Sequence, residues 1–234
     1  ANSQTRRPIV KMIEIKKLSF PDVDFEYYGR PSIQNNGNIY CISCGCRKTE
    51  WDRPYSDRPL KKLNRNIMAT YDGAVLVSSR FRDVLQAEAD AALRFHEFRP
   101  GVFHLTCLDQ LKSDFERVKP LRQERFCDHC GEHQVDLVLG YNFYTNPEIL
   151  KANGLYFSET TWGTCPDKSH QVFAGHALAQ KLAAEFKEVY LHDYTYCGPD
   201  DPIPKEWQHW LDARERAGGK LKPLFSMDKT KGSA

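Results

Sequence analysis

The chain of 234 residues lacks the long apolar run that a membrane-spanning helix requires. Such a helix needs roughly 20 consecutive apolar residues, whereas the longest apolar runs resemble the short stretch Ala74–Val77. The first eight residues contain basic side chains, but no apolar stretch follows them, so we expect no secretory signal. These absences predict a cytoplasmic protein without a membrane partner.

The sequence also lacks an excess of charge of either sign. The sequence has 33 basic and 31 acidic residues, a net charge of +2, and its basic side chains are scattered along the chain. A nucleic-acid-binding protein typically concentrates positive charge on one face, so a nucleic-acid partner is not expected. Apolar residues make up 41% and charged residues 27%, which is typical of a globular protein and argues against disorder.

The familiar catalytic motifs are absent as well. The sequence has no Gly-rich phosphate loop, no HExxH and no GxSxG. Two His-acid pairs, His96-Glu97 and His192-Asp193, fall in predicted strands, where adjacent side chains point to opposite faces and make poor acid–base pairs. His96 could approach His192 across a sheet, but a core or surface histidine is the commoner role. We therefore predict no catalytic residue and no enzyme activity.

Cysteine is the informative residue type. Four of the eight cysteines fall in two similar segments, Cys41-Ile42-Ser43-Cys44-Gly45 and Cys127-Asp128-His129-Cys130-Gly131. Two cysteines two residues apart can turn both sulfurs toward one ion, and the following glycine relieves a left-handed backbone position. Without a secretory signal, paired CxxC segments favour metal over disulfides. We predict a structural zinc ion bound by four ligands, Cys41, Cys44, Cys127 and Cys130.

Four sulfurs would close the coordination shell and leave no position for water or substrate, which argues against catalytic zinc. The alternative is that each CxxC is a redox dithiol. Cys46 is interpreted as a bystander that could replace a ligand, and Cys107, Cys165 and Cys197 as small buried apolar residues. Three polar residues flank the second segment and receive no catalytic role: His129, Glu132 and His133.

Two stretches predict β-α-β units. In the first, the strand Ala74–Val77 precedes a helix capped by Ser78-Ser79 that runs toward Ala92, and Leu93–Phe98 returns as a strand. In the second, the strand Gln171–Ala174 precedes a helix, and Tyr190–Tyr194 returns. Apolar positions of the two units match at one constant offset: Val75, Phe81 and Leu85 with Val172, Leu178 and Leu182. We interpret this as a degenerate internal repeat; chance similarity of two generic units is the alternative.

The predicted fold is therefore α+β, with two similar β-α-β-type units joined by a split zinc-knuckle module of four cysteines. The predicted domains are residues 10–140, which contain the knuckles and the first unit, residues 141–225 with the second unit, and a flexible tail at 226–234. Three further elements are predicted: strands at Met12–Ile15 and Val135–Leu139, and a short helix at Glu148–Ala152.

With both CxxCG segments in one chain, the sequence resembles the double-CXXCG motif family of bacterial toxin-immunity proteins over roughly residues 10–198. The stretch Val75–Leu85 also looks like a strand-then-helix pattern that recurs in immunity proteins. Only the four cysteines and the trailing Gly45 and Gly131 are carried over residue by residue. The resemblance implies a cytoplasmic inhibitor that binds a cognate toxin, with a nuclease as one candidate, delivered by neighbouring kin through a contact-dependent or type VI secretion route.

Aromatic and Arg side chains are the usual anchors of such an interface. The candidates are Tyr27-Tyr28, Trp51 with Arg53 and Tyr55, Tyr141-Phe143-Tyr144, and Trp207 with Trp210; residues 21–26 and 199–201 are the dense acidic stretches. Two other functions remain open. A zinc-ribbon nucleic-acid-binding or transcription-associated module would show salt-dependent binding. An enzyme with structural zinc would have a deep pocket beside a perturbed His or Cys.

Overall fold

The computed structural model describes residues 14–23, 40–46, 65–70, 73–114, 122–137, 145–165 and 168–192, together with Gln208, Asp212 and Arg216. The chain divides into two compact units, residues 1–199 and residues 200–234. In the second unit, the described residues are helical, and Asp212 accepts hydrogen bonds from Gln208 (2.7 Å) and Arg216 (3.2 Å). The predicted boundary at residue 140 stays a prediction, and the predicted tail at 226–234 lies outside the described residues.

The first unit is a mixed α and β structure, as predicted. In chain order its elements are β1 (Ile15–Ser19), β2 (Asp22–Val23), β3 (Ile67–Thr70), β4 (Val75–Ser78), α1 (Ser79–Glu88), β5 (Leu93–Arg99), β6 (Val102–Cys107), β7 (Gln110–Leu111), β8 (Arg122–Cys127), β9 (Glu132–Leu137), β10 (Leu155–Thr164), β11 (Ser169–Gly175), α2 (His176–Glu185) and β12 (Tyr190–His192). A short 3₁₀ turn, Pro147–Ile149, precedes β10.

The strands form two sheets. The larger sheet has the order β12-β1-β11-β10-β9-β8, with β7 paired in parallel beside β10. The smaller sheet has the order β2-β3-β4-β6-β5. At one point the sheets approach so closely that a side chain on Gly73 would meet Ser169, because a Cβ atom there would lie 2.5 Å from the Ser169 Cβ atom.

Helix α1 forms where the sequence predicts it. Ser78 is its N-cap, and the Ser78 hydroxyl accepts a hydrogen bond from the Phe81 backbone N–H at 3.2 Å. Phe81 and Leu85, one helical turn apart, are both buried against the core. The helix ends at Glu88 and not near Ala92, because Ala89 adopts an extended backbone conformation that leads the chain toward β5.

The two predicted β-α-β units have the same topology. Helix α2 begins and ends 97 residues after α1. In both helices the C-cap residue donates its backbone N–H to the carbonyl oxygen of a buried leucine, Leu85 in α1 and Leu182 in α2. In each unit an antiparallel strand lies between the two strands that the helix connects: β6 between β4 and β5, and β1 between β11 and β12. Descent of the two units from one ancestral unit stays a prediction.

One apolar core joins both β-α-β units. It contains buried residues of both sheets and both helices: Leu18, Ile67, Val75, Val77, Phe81, Leu85, Phe103, Leu105, Cys107, Leu155, Phe157, Val172, Ala174, Leu178, Ala179, Leu182, Phe186 and Val189. Within this core the Phe81 and Phe186 rings lie 4.6 Å apart between centroids. The core therefore includes side chains from both sides of residue 140.

Two secondary-structure predictions are corrected. The helix predicted at Glu148–Ala152 is the 3₁₀ turn Pro147–Ile149, because Asn146 and Lys151 make turn contacts to Ile149 and Gly154. The strand predicted at Met12–Ile15 overlaps β1 only at Ile15, because Glu14 is not in a strand and residues 12 and 13 lie outside the described residues. The strand predicted from Val135 is confirmed but begins earlier, at Glu132, because it pairs with β8 through the second CxxCG turn.

Gly175 is required where β11 enters α2. A Cβ atom at this position would lie 2.1 Å from the Lys151 carbonyl oxygen and 2.4 Å from that of Ala152. Backbone atoms cannot move aside as a flexible side chain can, so Gly175→Ala should lower the free energy of unfolding by about 1–3 kcal/mol. Urea denaturation would measure the change, and the exposed Gln180→Ala on the same helix should alter it by less than about 0.5 kcal/mol. Equal effects of the two substitutions would contradict this account of the contact.

Glu188, which precedes the last strand of the second β-α-β unit, contacts the first β-α-β unit through Asn66. Its buried carboxylate accepts hydrogen bonds from the Asn66 backbone N–H (2.7 Å) and side-chain amide (3.1 Å), and Asn66 in turn contacts the N-cap Ser78. Burial raises the pKa of Glu188, but the Asn66 donors, together with the Glu188 backbone N–H and the charge of Lys187, outweigh it and hold the pKa below its ordinary value of 4.5. The stability that the carboxylate contributes is therefore present above that value and is lost as the pH falls through the lower, folded-state pKa.

Glu188→Gln should consequently lower the free energy of unfolding by about 1–3 kcal/mol at pH 7. The difference from the unsubstituted protein should shrink as the pH is lowered from neutral into the range below the ordinary glutamate pKa. Urea denaturation across that pH range would measure it. A difference that stays constant with pH would show that the charge of Glu188 does not contribute.

Candidate metal centre

The structure brings the four predicted ligands together. The sulfur atoms of Cys41, Cys44, Cys127 and Cys130 all lie within 4.8 Å of one another. Across the two segments, the Cys41 and Cys127 sulfurs are 3.8 Å apart and the Cys44 and Cys130 sulfurs 3.6 Å apart. A tetrahedral zinc site with Zn–S bonds of about 2.3 Å has sulfurs about 3.8 Å apart, so the spacing fits such an ion.

The two CxxCG segments adopt the same turn. In each, the glycine backbone N–H donates to the carbonyl of the first cysteine at 2.8 Å: Gly45 to Cys41 and Gly131 to Cys127. Both glycines have a φ angle of 75°, a left-handed conformation that residues with a Cβ atom adopt at a cost. The predicted role of the two glycines is thereby confirmed.

The centre is attached to one end of the larger sheet. The second segment is the turn of the hairpin formed by β8 and β9, and β9 pairs with the far end of β10 at Gly163 and Thr164. The first segment is closed into a turn by a hydrogen bond of 2.7 Å from the Cys41 N–H to the Cys46 carbonyl. The sulfur cluster thus joins segments that are 86 residues apart in sequence.

The cysteines of the cluster differ in their electrostatic surroundings. The backbone N–H of Cys130 stabilises the Cys127 thiolate and lowers the pKa of Cys127 to about 6. Burial raises the pKa of Cys41, but backbone N–H groups of Cys44 and Ser43 outweigh it and the net direction is down. Burial raises the pKa of Cys44 to about 12 and also raises that of Cys130. Full ionisation of four adjacent thiols therefore calls for a neighbouring cation.

The donor set defines what the centre can do. Four thiolates are soft ligands that suit zinc and related metals, and they leave no coordination position for a substrate. Cys41 and Cys127 are buried, whereas Cys44 and Cys130 are partly exposed, so an ion would reach the site from that side. The arrangement fits a structural metal ion that holds two chain segments together.

A disulfide bond next to the cluster corrects two predictions. Cys46 pairs with Cys165, with Cα atoms 4.9 Å apart across a sequence separation of 119 residues. Cys165 is therefore not a solitary buried apolar residue, and Cys46 cannot replace a ligand while this bond is closed. Disulfide connectivity cannot be deduced from a sequence alone, which is why the pairing was not predicted.

The remaining cysteines are accounted for in part. Cys107 is buried in the core as predicted, with its sulfur 3.1 Å from the Leu155 carbonyl oxygen, and burial raises its pKa to about 12. Cys197 lies outside the described residues. So do the acidic residues Asp24, Glu26, Asp200 and Asp201 and all the predicted aromatic and Arg anchors: Tyr27, Tyr28, Trp51, Arg53, Tyr55, Tyr141, Phe143, Tyr144, Trp207 and Trp210.

His96 and His192 lie in different sheets. His96 lies opposite His104 in the smaller sheet, whereas His192 belongs to the larger sheet, so the two are not neighbours across one sheet. The His192 Nε2 atom lies 2.7 Å from the Ser19 hydroxyl. Beside the metal centre, the His133 ring packs edge-on against Phe126 at 5.0 Å.

A cavity of about 420 Å³ lies where the two sheets approach each other. Lys17, Asp22 and Trp162 are among the residues that line it, and burial lowers the pKa of Lys17. The described residues that line it include His170 but no cysteine. The cavity is thus distinct from the sulfur cluster.

Comparison with known proteins found no matching family model, no matching curated protein and no matching solved structure. Within the described part of the chain, no helix is long and apolar enough to cross a membrane.

Proposed function

We propose that this protein is an immunity protein that binds and neutralises a cognate secreted antibacterial toxin in the cytoplasm, and that its cysteine cluster holds a structural zinc ion. The observation that carries the proposal is the convergence of two CxxCG turns on one site, because this pair is the specific motif of the double-CXXCG immunity proteins that the sequence resembles. The type of toxin, including a nuclease, is an expectation from that resemblance alone.

The physical argument is one of rigidity. A metal ion that fastens distant segments restricts the free protein, and a binding surface that is ordered beforehand loses less entropy on association. Two large apolar side chains stand beside the ligands on this rigid module: Ile42 is 63% exposed and Phe126 is 56% exposed. Exposed aliphatic and aromatic side chains of this kind can serve as anchors of a protein–protein interface.

We also propose that the two β-α-β units arose by duplication. The common helix bounds at an offset of 97 residues and the shared strand order support this. Residues that pack against the core keep the correspondence at an offset of 96 residues: Leu93 and Phe95 of β5 match Val189, which precedes β12, and Leu191 of β12.

Co-expression with the toxin tests the function. The cognate toxin gene is expected immediately beside the gene for this protein, and induction of both should restore growth that the toxin alone arrests. Continued killing in the presence of soluble, zinc-loaded protein would reject the assignment. Co-purification of the two chains in equal amounts would separate direct binding from an indirect effect.

The exposed pair at the metal centre can be tested separately. Ile42→Asp and Phe126→Asp should each weaken toxin binding by at least tenfold, since truncating an anchor costs about 2 kcal/mol or more. Tyr190→Asp is the matched control, because Tyr190 is 55% exposed on β12. This strand is at the edge of the larger sheet opposite to β8, which carries Phe126. Unchanged affinity in both substituted proteins, with zinc content retained, would place the toxin contact elsewhere.

A zinc-ribbon nucleic-acid-binding module is the second candidate. It is favoured by the exposed Phe126 on β8, since an exposed aromatic ring can stack on bases. Fluorescence anisotropy with labelled single-stranded DNA and RNA tests it. Binding whose logarithm falls steeply with the logarithm of salt concentration would favour this function over the inhibitor.

A further inference from the structure

The disulfide and the sulfur cluster hold the same two parts of the chain together. Cys46 directly follows the first CxxCG turn, and its backbone N–H lies 3.5 Å from the Cys44 sulfur. Cys165 directly follows β10, and its N–H donates to the Gln134 carbonyl of β9 at 2.8 Å. The bond therefore connects the first turn to the hairpin that carries the second.

Two cross-links that close the same contact are thermodynamically coupled. The cluster closes a chain segment of 86 residues, and the disulfide closes one of 119 residues. Closing either loop costs chain entropy, and once one cross-link is in place the other has less entropy to overcome. The state of the disulfide must then change the metal affinity, and the metal must change the stability of the disulfide by the same factor.

We propose that Cys46 and Cys165 form a thiol–disulfide modification site that sets how tightly the four-cysteine centre holds its metal. This inference rests on the metal-binding part of the proposed function and not on the toxin. The four ligands complete the tetrahedral set without these two cysteines. The pair can therefore change redox state while the ligand set stays intact.

The co-reactant is a low-molecular-weight disulfide of the glutathione type. The Cys165 thiolate attacks one sulfur of this disulfide, forms a mixed disulfide and releases one small thiolate. The Cys46 thiolate then attacks the Cys165 sulfur, closes the protein disulfide and releases the second small thiolate. The two protons lost by the cysteines end on the two released thiols, and the two electrons reduce the small disulfide.

The surroundings suit both redox states. Cys165 is partly exposed whereas Cys46 is buried, so the small disulfide meets the Cys165 sulfur first. In the disulfide-bonded structure the His133 carbonyl oxygen lies 3.8 Å from the Cys46 sulfur and 3.7 Å from the Cys165 sulfur, so a hydrogen-bond acceptor is close to both sulfurs if the bond is reduced. In a reducing cytoplasm the pair is the dithiol, and oxidising conditions close the bond and tighten the metal centre.

Zinc competition on the full chain tests the proposal. One sample is oxidised with glutathione disulfide, a second is reduced with glutathione, both are desalted without oxygen, and zinc affinity is measured against a chromophoric chelator. The oxidised protein should bind zinc about tenfold more tightly than the reduced protein, in the ordinary range of coupling between two sites. Cys46→Ser with Cys165→Ser should bind like the reduced protein after either treatment, and Cys107→Ala, elsewhere in the core, should keep the difference.

Equal zinc affinity of the oxidised and reduced unsubstituted protein would overturn the proposal, and this comparison needs no substituted protein to fold. Peptide mapping after thiol alkylation should show Cys46 linked to Cys165, and a bond between other cysteines in the oxidised sample would also overturn it. Zinc binding to none of the samples would overturn the metal centre itself, a result that is distinct from equal binding to both.

Discussion

Cys41→Ser combined with Cys127→Ser is expected to abolish zinc binding and to cause the largest loss of stability of any change considered. One ligand is lost from each turn, and two sulfurs that face each other across the segments, 3.8 Å apart, disappear together. A structural zinc ion contributes on the order of 10 kcal/mol to the folded state of small zinc domains. Even half of that would lower the melting temperature by about 10 °C or more in a chain of this size.

Metal analysis and calorimetry measure this prediction. The unsubstituted protein should contain one zinc ion per chain, and the doubly substituted protein should contain none. Ser43→Ala is the matched control, because Ser43 is an exposed residue of the same turn whose side chain is not a ligand. Zinc content and melting temperature unchanged by the double substitution would refute the site.

Phe81→Ala is expected to have the second largest effect. The Phe81 ring is fully buried and packs against Phe186, so it connects the first helix to the end of the second. Replacing a buried phenylalanine by alanine removes apolar contacts and leaves a cavity, at a cost of about 3–5 kcal/mol. The adjacent Arg80 lies over the Phe186 ring but is largely exposed, so Arg80→Ala should cost less than about 1 kcal/mol.

Urea denaturation of both substituted proteins measures the difference. Because one core joins both β-α-β units, Phe81→Ala should destabilise them together, with a single transition observed by every spectroscopic probe. Separate transitions of the two units would contradict the joint core. A loss below about 1.5 kcal/mol would show that the site collapses around the smaller side chain.

The sequence predicts the local features well. Ser78 caps a helix with Phe81 and Leu85 on one face, and Gly45 and Gly131 require left-handed turns; each of these features depends on residues close together in the chain. The sequence also predicts the four metal ligands, because two matching CxxCG segments indicate one shared ion. Element types follow from local patterns wherever nearby residues decide them.

Long-range pairing could not be predicted. The middle strand of the first unit, β6, follows β5 directly, whereas the middle strand of the second unit, β1, comes from the opposite end of the described chain. Nothing in the local pattern of Ile15–Ser19 indicates its neighbours β11 and β12. The sequence pattern does not predict β10, for a different reason. The pairing register of β10 shifts between Phe157 and Thr161, and this irregularity interrupts the alternation of buried and exposed residues that is typical of a strand.

X-ray absorption at the zinc edge on the purified full chain tests the central claim most directly. If the four cysteines hold one ion, the spectrum will show four sulfur neighbours at about 2.3 Å and no nitrogen or oxygen ligand. A sample without bound metal, or a metal surrounded by nitrogen and oxygen, would contradict the four-cysteine centre and remove the main support for the immunity-protein proposal.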